Sequence, residues 1–181
     1  MAEVVRVGVL TISDRSSRGE REDLSGPAIK AALSTENFVI ALEAIVPDDK
    51  KTITDTLRRW CDEYGCDVIL TTGGTGFSPR DVTPEATRKA LDRDAPNISQ
   101  FLLFEGLKLN PFAALSRGIA GVRGATLIVN LPGSPREPKM ARSASPRFCP
   151  MRWMSCVSAR LTIRTEPNPD AARRPFPVRE G

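Results

Sequence analysis

The chain has 181 residues, of which 40% are hydrophobic and 27% are charged, and its formal net charge at pH 7 is +4. This length is typical of a single domain with a substantial core. No apolar run approaches the length of a membrane span and the N-terminus lacks a signal-peptide pattern, so we expect a cytoplasmic protein. The sequence contains no histidine, which excludes histidine base catalysis and histidine-bound metals.

The positive charge is concentrated towards the C-terminus. Residues 1–136 carry 17 Lys and Arg against 18 Asp and Glu, a net charge of −1, whereas residues 137–181 carry 9 against 4, a net charge of +5. The basic character therefore belongs to a tail and does not indicate binding to nucleic acid. The four cysteines, at positions 61, 66, 149 and 156, show no metal-ligand spacing.

Residues 1–136 alternate strand and helix signals, which predicts an α/β domain with a mostly parallel sheet. The predicted strands cover 4–12, 38–46, 67–72, 118–122 and 126–131, and helices cover 25–33, 84–91 and 98–107. Ser25 and Thr83 are predicted to cap the helices that follow them. A further helix begins at Asp48 or Asp49. Its apolar face has helical spacing, typical of core packing, and consists of Ile53, Leu57, Trp60, Cys61 and Tyr64.

Four polar loops follow predicted strands, at Ser13-Asp14, at Asp48, at 73–81 and at 130–134. In an open α/β sheet, ligands bind beyond the carboxyl ends of the strands, near a switch in strand order. We therefore expect these loops to converge on one crevice.

The segment 70–87 places a glycine-rich turn between a strand and a helix. Gly73, Gly74 and Gly76 permit positive φ, and the N–H groups of such a turn can form a concave donor site for phosphate. Asp81 follows as a carboxylate able to hold a metal that bridges phosphates. The turn lacks the Walker lysine and the dinucleotide-binding spacing, and it can also be a simple strand-to-helix connection. Alone, it indicates phosphate handling but leaves a purely structural role open.

The complete segment, through Arg80-Asp81 and Thr83-Pro84-Glu85, resembles the molybdopterin adenylyltransferase family, whose domain is shared by bacterial molybdenum-cofactor enzymes and the G domain of gephyrin. Further matching motifs lie at 7–15, 23–27, 46–49, 115–117 and 127–134. The resemblance extends from about residue 5 to residue 136. It implies a three-layer α/β sandwich with a mostly parallel sheet, similar to other molybdenum cofactor biosynthesis proteins.

The resemblance also implies a reaction, in which AMP passes from ATP to the phosphate of molybdopterin and pyrophosphate is released. ATP and molybdopterin are the implied substrates. Mg²⁺ is the implied cofactor, because two negatively charged phosphates must be brought together. A homotrimer is implied as well, together with a downstream molybdenum-insertion enzyme as a partner. We expect no nucleic-acid partner and no membrane partner.

The matched positions predict roles for individual residues. Asp48 and Asp81 are predicted to be the catalytic and metal-binding residues. The nucleotide and its phosphates are predicted to contact Ser13, Asp14, Gly73, Gly74, Thr75, Gly76 and Arg80. The molybdopterin end is predicted to be lined by Ser116, Arg117, Asn130, Pro132, Gly133 and Ser134. Simpler explanations stay open for Asp48 as a helix cap, Asp14 as a turn former and Arg80 as a solvated side chain.

The family pattern stops after Arg136, so the domain 1–136 is predicted to be incomplete at its C-terminal end. Residues 137–181 contain seven of the 15 prolines and show no helical periodicity, which predicts a disordered tail. The codons possible for residues 148–154, read one base out of frame, can encode Leu-Pro-His-Ala-Leu-Asp, which the family has at about this distance. We therefore hypothesise that the tail is out of frame, and a tail peculiar to this protein is the alternative.

Two other functions remain compatible with the sequence. One is a non-catalytic molybdopterin-binding or scaffold module, and the other is an inactive frameshifted product. Catalysis would separate the enzyme from both, and cooperative thermal unfolding would separate the module from the inactive product.

Overall fold

A computed structural model describes residues 4–33, 37–108 and 110–131. Within these ranges, one sheet contains β1 (Val5–Ile12), β2 (Phe38–Val46), β3 (Val68–Thr72), β4 (Arg93–Asp94), β5 (Ala120–Arg123) and β6 (Thr126–Leu131). The helices are α1 (Asp14–Ser17), α2 (Ser25–Ala32), α3 (Lys50–Asp62), α4 (Thr83–Ala90), α5 (Pro96–Leu107) and a 3-10 helix (Pro111–Leu115). None of the helices in the described ranges is long and apolar enough to cross a membrane.

The strand order in the sheet is β2-β1-β3-β6-β5-β4, and the first four strands run parallel. β5 pairs antiparallel with β6, and β4 pairs antiparallel with β5. The chain passes from β1 to β2 on one side and then returns to place β3 on the other side of β1. The switch in strand order therefore lies between β1 and β3, which is where ligands bind in folds of this type.

Helices cover both faces of the sheet, which confirms the predicted three-layer α/β sandwich. Alternate side chains of the central strands point to opposite faces, because successive residues of a strand alternate in direction. On one face, Val7, Val9 and Leu70 pack with Leu33 at the end of α2 and Leu102 of α5. On the other face, the strands pack against α3 and α4, and the buried residues there include Leu10, Ile12, Ile53, Leu57, Ile69, Ala86, Ala90 and Ile128.

The strand and helix predictions agree with most of these bounds. Strands 38–46 and 126–131 are observed as predicted, and the strands predicted at 4 and 67 each begin one residue later. The apolar face of α3 is confirmed as core, since Ile53, Leu57 and Trp60 are buried. The sequence prediction missed β4, which has two exposed residues and no apolar pattern.

The predicted helix caps need correction at two positions. Ser25 is the first residue of α2, and Leu24 is at the N-cap position without a side-chain hydrogen bond. Asp23 satisfies the helix start instead, because its Oδ1 accepts hydrogen bonds from the backbone N–H of Ser25 (2.9 Å) and of Gly26 (3.2 Å). Thr83 is likewise the first residue of α4, with Val82 as the capping residue. The Thr83 hydroxyl donates instead to the carbonyl of Gly73 at 2.9 Å, so it holds the glycine-rich turn.

Candidate functional site

The carboxyl ends of four neighbouring strands are aligned in register. Ile12 at the end of β1 is paired with Val46 at the end of β2, and Thr72 at the end of β3 is paired with Leu131 at the end of β6. Thr11 lies opposite Thr72, which aligns β1 with β3. The loops that leave β1, β2 and β3 therefore begin at one edge of the sheet, as expected, whereas residues 132–134 of the fourth expected loop lie outside the described residues.

The glycine-rich turn lies against the end of β1. Gly73 and Gly74 have φ angles of +97° and +62°, which L-residues with side chains rarely adopt. A Cβ on Gly73 would lie closer than 3.0 Å to the carbonyl oxygen of Ile12, so only glycine fits this approach. Gly76 lies beside the carboxylate of Asp81, since a Cβ there would lie 2.9 Å from Oδ2 of Asp81 and would displace this oxygen. The turn is thus shaped both by β1 and by the carboxylate that follows it.

Asp14, which follows β1, and Asp48, which follows β2, each accept a hydrogen bond from the backbone N–H of the other. The backbone N–H of Asp14 donates to Oδ2 of Asp48 at 2.8 Å, and the backbone N–H of Asp48 donates to Oδ1 of Asp14 at 3.0 Å. Asp49 is the residue that caps α3, because its Oδ2 accepts from the N–H of Thr52 at 2.7 Å. Asp48 is therefore not the helix cap, and its carboxylate points towards Gly74, where a Cβ would meet its Oδ1 at 2.9 Å.

The two carboxylates have pKa values shifted in opposite directions. Burial raises the pKa of Asp48, and the negative charges of Asp14 and Asp81 raise it further, against a lowering effect of its hydrogen bond with the Asp14 backbone. Hydrogen bonds from Arg80 lower the pKa of Asp14. Arg80 donates from Nη2 to Oδ2 of Asp14 at 2.7 Å and from Nε to the same atom at 3.1 Å, so it is paired and not simply solvated. A cation beside Asp48 would relieve the cost of its ionisation.

Asp81 completes the acidic part of the site. Its Oδ2 accepts from the N–H of Ser78 at 2.8 Å, and its negative charge acts on Asp48. In the described residues, the remaining oxygens, Oδ1 of Asp48 and Oδ1 of Asp81, have no hydrogen-bond donor. The same residues contain no group of three or more acidic or cysteine side chains that could hold a metal. Two carboxylates fit Mg²⁺, which usually takes one or two protein carboxylates together with water and substrate phosphates.

The remaining nucleotide-end predictions lie beside these carboxylates. Ser13 caps α1, because its Oγ accepts from the N–H of Ser16 at 3.2 Å, and its own N–H donates to the carbonyl of Val46 at 2.9 Å. Thr75 is buried, and its carbonyl accepts from the N–H of Arg117 at 2.9 Å. Ser13 therefore tightens the loop after β1, and Thr75 connects the glycine-rich turn to the segment 116–118 that precedes β5.

Of the predicted molybdopterin residues, two lie beside the glycine-rich turn, one is buried, and three lie outside the described residues. Ser116 lies beside the turn, with its Oγ 3.4 Å from Oγ1 of Thr75. The guanidinium of Arg117 bonds to the turn and to α4. Asn130 is buried, and its Nδ2 donates to the hydroxyls of Thr71 and Thr87, each at 2.9 Å. The last three residues, Pro132, Gly133 and Ser134, lie outside the described residues, as does the predicted tail 137–181.

The structure adds residues that the sequence did not single out for the site. Thr83 clamps the turn through Gly73, and Phe77 lies exposed at the tip of the turn with its ring centroid 5.8 Å from the guanidinium carbon of Arg117. An aromatic residue between a glycine-rich turn and an acidic residue is the only signal that could have identified Phe77. The role of Thr83 was hidden by its position, because a threonine before proline at a helix start is typical of a cap.

The chain is similar to known proteins in sequence and in fold. The family model described as "Probable molybdopterin binding domain" matches residues 8–145. A molybdopterin adenylyltransferase of Helicobacter pylori J99 is 46% identical, over 75% of this chain and 78% of that protein. The molybdenum cofactor synthesis protein cinnamon of Drosophila melanogaster is 48% identical over 76% of this chain. The matched part is only 23% of that longer protein.

A solved structure shows the same architecture. The crystal structure of the molybdopterin biosynthesis enzyme MoaB from Thermus thermophilus has a TM-score of 0.75 and 46% identity to this chain. The match covers 88% of this chain and 97% of the other. The likeness therefore extends over nearly all of that protein.

Proposed function

Because this chain belongs to the probable molybdopterin binding domain family of molybdenum cofactor biosynthesis, we propose that it is a molybdopterin adenylyltransferase. The terminal phosphate of molybdopterin attacks the α-phosphorus of ATP. A new P–O bond forms there, the bond to the bridging oxygen of the β-phosphate breaks, and pyrophosphate leaves. Such a reaction needs little covalent help from the protein, and positioning and charge neutralisation supply most of the rate.

The observation that carries this proposal is the placement of the Asp48 carboxylate. It lies between the Asp14 amide and Gly74 of the glycine-rich turn, and burial raises its pKa. The backbone N–H groups of a glycine turn with positive φ can bind a phosphate, and the carboxylates beside it can bind the cation that accompanies that phosphate. Mg²⁺ bound by Asp48 and Asp81 would neutralise the phosphates that approach one another. The ion pair between Asp14 and Arg80 lies beside these carboxylates.

We propose the other roles along the same edge of the sheet. The nucleotide phosphates contact the turn of Gly73, Gly74, Thr75 and Gly76, and the nucleotide end extends towards Ser13, Asp14 and Arg80. Molybdopterin lies towards Ser116, Asn130 and the backbone of Arg117, with Pro132, Gly133 and Ser134 following along the chain. The buried amide of Asn130 joins β6 to β3 and to α4, since its Nδ2 donates to the hydroxyls of Thr71 and Thr87.

The proposed assembly is a homotrimer that works in the cytoplasm and passes its product to a molybdenum-insertion enzyme. Exposed apolar side chains on α5 and the 3-10 helix support self-association, because these two neighbouring elements both present large apolar side chains to solvent, which favours a protein contact. They are Phe101, Phe104, Leu107, Phe112 and Leu115. Sedimentation equilibrium of the purified chain would test the trimer.

The domain boundary is also part of the proposal. We retain 1–136 as the catalytic domain and 137–181 as a segment translated out of frame. Sequencing the gene through this region tests the proposal, because a coding sequence whose shifted frame contains no segment like Leu-Pro-His-Ala-Leu-Asp would refute it.

Adenylyl transfer by the purified full chain tests the function. The assay supplies molybdopterin and Mg-ATP to the native chain, to Asp81→Asn and to Asp55→Asn. Asp55 is a matched control, because it is an acidic residue of α3 paired with Lys51 and is not part of the site. We expect product from the native chain and the control, and a loss of roughly 100-fold or more in Asp81→Asn.

Three other outcomes would change the conclusion. An Asp81→Asn variant as active as the control would refute the role of Asp81. A native chain that unfolds cooperatively but forms no product would favour the non-catalytic binding module. A native chain that aggregates and forms no product would favour the inactive frameshifted product.

A further inference from the structure

Arg117 follows the 3-10 helix and lies beside the glycine-rich turn, far from it in sequence. Its backbone N–H donates to the carbonyl of Thr75 at 2.9 Å, which fixes the start of its side chain against the turn. The side chain is 30% exposed, so its guanidinium is partly withdrawn from water. A partly buried guanidinium is stabilised when its N–H groups have acceptors.

The guanidinium of Arg117 bonds to three groups of one continuous segment. Its Nε donates to the carbonyl of Gly76 at 2.7 Å, and its Nη2 donates to the carbonyl of Asp81 at 2.6 Å. Its Nη1 donates to the carboxylate of Glu85 on the first turn of α4. These contacts tie the beginning, the middle and the end of the segment 76–85 to a single planar group.

Phe77 adds a fourth contact to the same group. The guanidinium carbon of Arg117 lies 5.8 Å from the centroid of the Phe77 ring, within the range of a cation–π interaction. Phe77 is 69% exposed, so burial in the core does not hold this side chain in place. Its contact with Arg117 connects the tip of the turn to the same guanidinium.

We infer that Arg117 is a positioning residue that sets the place of the Asp81 carboxylate by holding the segment 76–85 in one conformation. The inference deepens the proposed function and rests on it, because it assigns Arg117 an effect through Asp81. Both the main chain and the side chain of Asp81 are held by hydrogen bonds. Its carbonyl accepts from Arg117, and its Oδ2 accepts from the backbone N–H of Ser78. Movement of the carbonyl would move the carboxylate with it.

Only arginine can make this set of contacts. Its guanidinium has five N–H donors in a fixed planar arrangement, and three separate acceptors use three of its nitrogens here. Lysine carries its donors on one atom and cannot reach the three acceptors with the same geometry. Arg117→Lys therefore keeps the charge and removes the positioning.

Arg123 provides a matched control for the substitution. It is also a half-buried arginine, with 23% of its side chain exposed, and it bonds to Asp62 through Nε at 2.9 Å and Nη2 at 2.7 Å. Its Nη1 donates to the carbonyl of Ala90 at 3.2 Å, at the end of α4 away from the turn. Arg123→Lys thus removes a similar network without touching the segment 76–85.

The experiment compares the native chain, Arg117→Lys, Arg123→Lys and Glu85→Gln. Each purified full chain is measured for thermal midpoint, for amide hydrogen exchange of residues 75–85, and for binding of Mn²⁺ as a probe for the metal. Steady-state rates are then measured against the concentrations of Mg²⁺ and molybdopterin. Glu85→Gln keeps the arginine and weakens one contact, so its effects should be smaller than those of Arg117→Lys and in the same direction.

We expect Arg117→Lys to bind Mn²⁺ about 10- to 100-fold more weakly and to lose a similar factor in kcat, as is typical when a supporting residue of a metal ligand is changed. Exchange of amides in 75–85 should be faster, and KM for molybdopterin should change little. Arg123→Lys should show none of these effects, although the two variants should lose similar thermal stability.

Three results would overturn the inference. A rise confined to KM for molybdopterin would show that Arg117 binds the pterin directly. Identical behaviour of Arg117→Lys and Arg123→Lys in all readouts would leave Arg117 a purely structural role. If the native chain transfers no AMP, the proposed function fails, but Mn²⁺ binding by the same variants still decides the positioning role. A native chain that binds no Mn²⁺ would also overturn the inference.

Discussion

Replacement of Gly73 by alanine tests the close approach between the glycine-rich turn and β1. Gly73 has a φ of +97°, and a Cβ there would meet the carbonyl oxygen of Ile12 closer than 3.0 Å and its carbonyl carbon at 3.2 Å. Both atoms belong to the backbone of a central strand, so they cannot rotate away. Relief would require movement of the turn or of β1.

The expected cost has two parts. A residue with a side chain in the left-handed region loses about 1–2 kcal/mol, and an overpacked contact typically adds about 1–3 kcal/mol. Gly73→Ala should therefore lower the free energy of unfolding by about 2–5 kcal/mol. Gly19 separates the two parts, because its φ is +73° and nothing lies within 4 Å of its Cβ position. Gly19→Ala should cost only about 1–2 kcal/mol.

The assay is thermal unfolding of the two variants beside the native chain, followed by circular dichroism. Alanine reduces the entropy of the unfolded chain equally in both variants, so this contribution cancels in their difference. For a chain of this size, we expect the midpoint of Gly73→Ala to lie about 3–10 °C below that of Gly19→Ala. Equal midpoints would refute the contact between Gly73 and Ile12, and with it the reason for glycine at this position.

Other consequences of the structure can be tested in the same way. At pH 7, Asp48→Asn should raise the thermal midpoint, because burial penalises the charged carboxylate; the gain should shrink as the pH falls through the raised pKa of Asp48, where the native carboxyl protonates in the folded protein. A lowered midpoint would contradict this. Asn130→Ala should cost about 2–4 kcal/mol in urea unfolding, because buried hydroxyls lose their partner, and a cost near zero would refute the network. Burial raises the pKa values of Cys61 and Cys66 to about 12, so these thiols should resist alkylation at pH 8 until the protein unfolds. Peptide mass mapping of the folded protein checks this, and labelling of the folded protein as fast as that of the unfolded chain would contradict it.

The sequence predicted those parts of the fold that depend on periodicity. The strands 38–46 and 126–131 follow from short runs of mainly apolar residues, and the apolar face of α3 follows from the helical spacing of its apolar residues. β4 could not be predicted in this way, because its two residues are exposed and gain their strand geometry only from pairing with β5. The cap of α2 was assigned to Ser25 because serine is a common cap, whereas Asp23 is anchored there by the Thr11 hydroxyl of β1 at 2.7 Å.

In the candidate site as well, the sequence identified residues but not the contacts between residues that are far apart in the chain. The sequence identified Asp48 and Asp81 but could not decide which of two adjacent aspartates caps α3, since both have the same side chain. The structure separates them, because Asp49 bonds to the helix and Asp48 bonds to the loop after β1. The contacts of Arg117 were out of reach of local reasoning, since its partner Gly76 is 41 positions away.

The strand order also sets the spacing of the loops along this edge of the sheet. β2 and β6 are separated by β1 and β3, so the loops after the two outer strands begin about 14 Å apart, at three spacings of a sheet. The loops after the inner strands carry Asp14 and the glycine-rich turn, and they lie midway along this edge. Each inner loop therefore begins within about 10 Å, two strand spacings, of either outer loop.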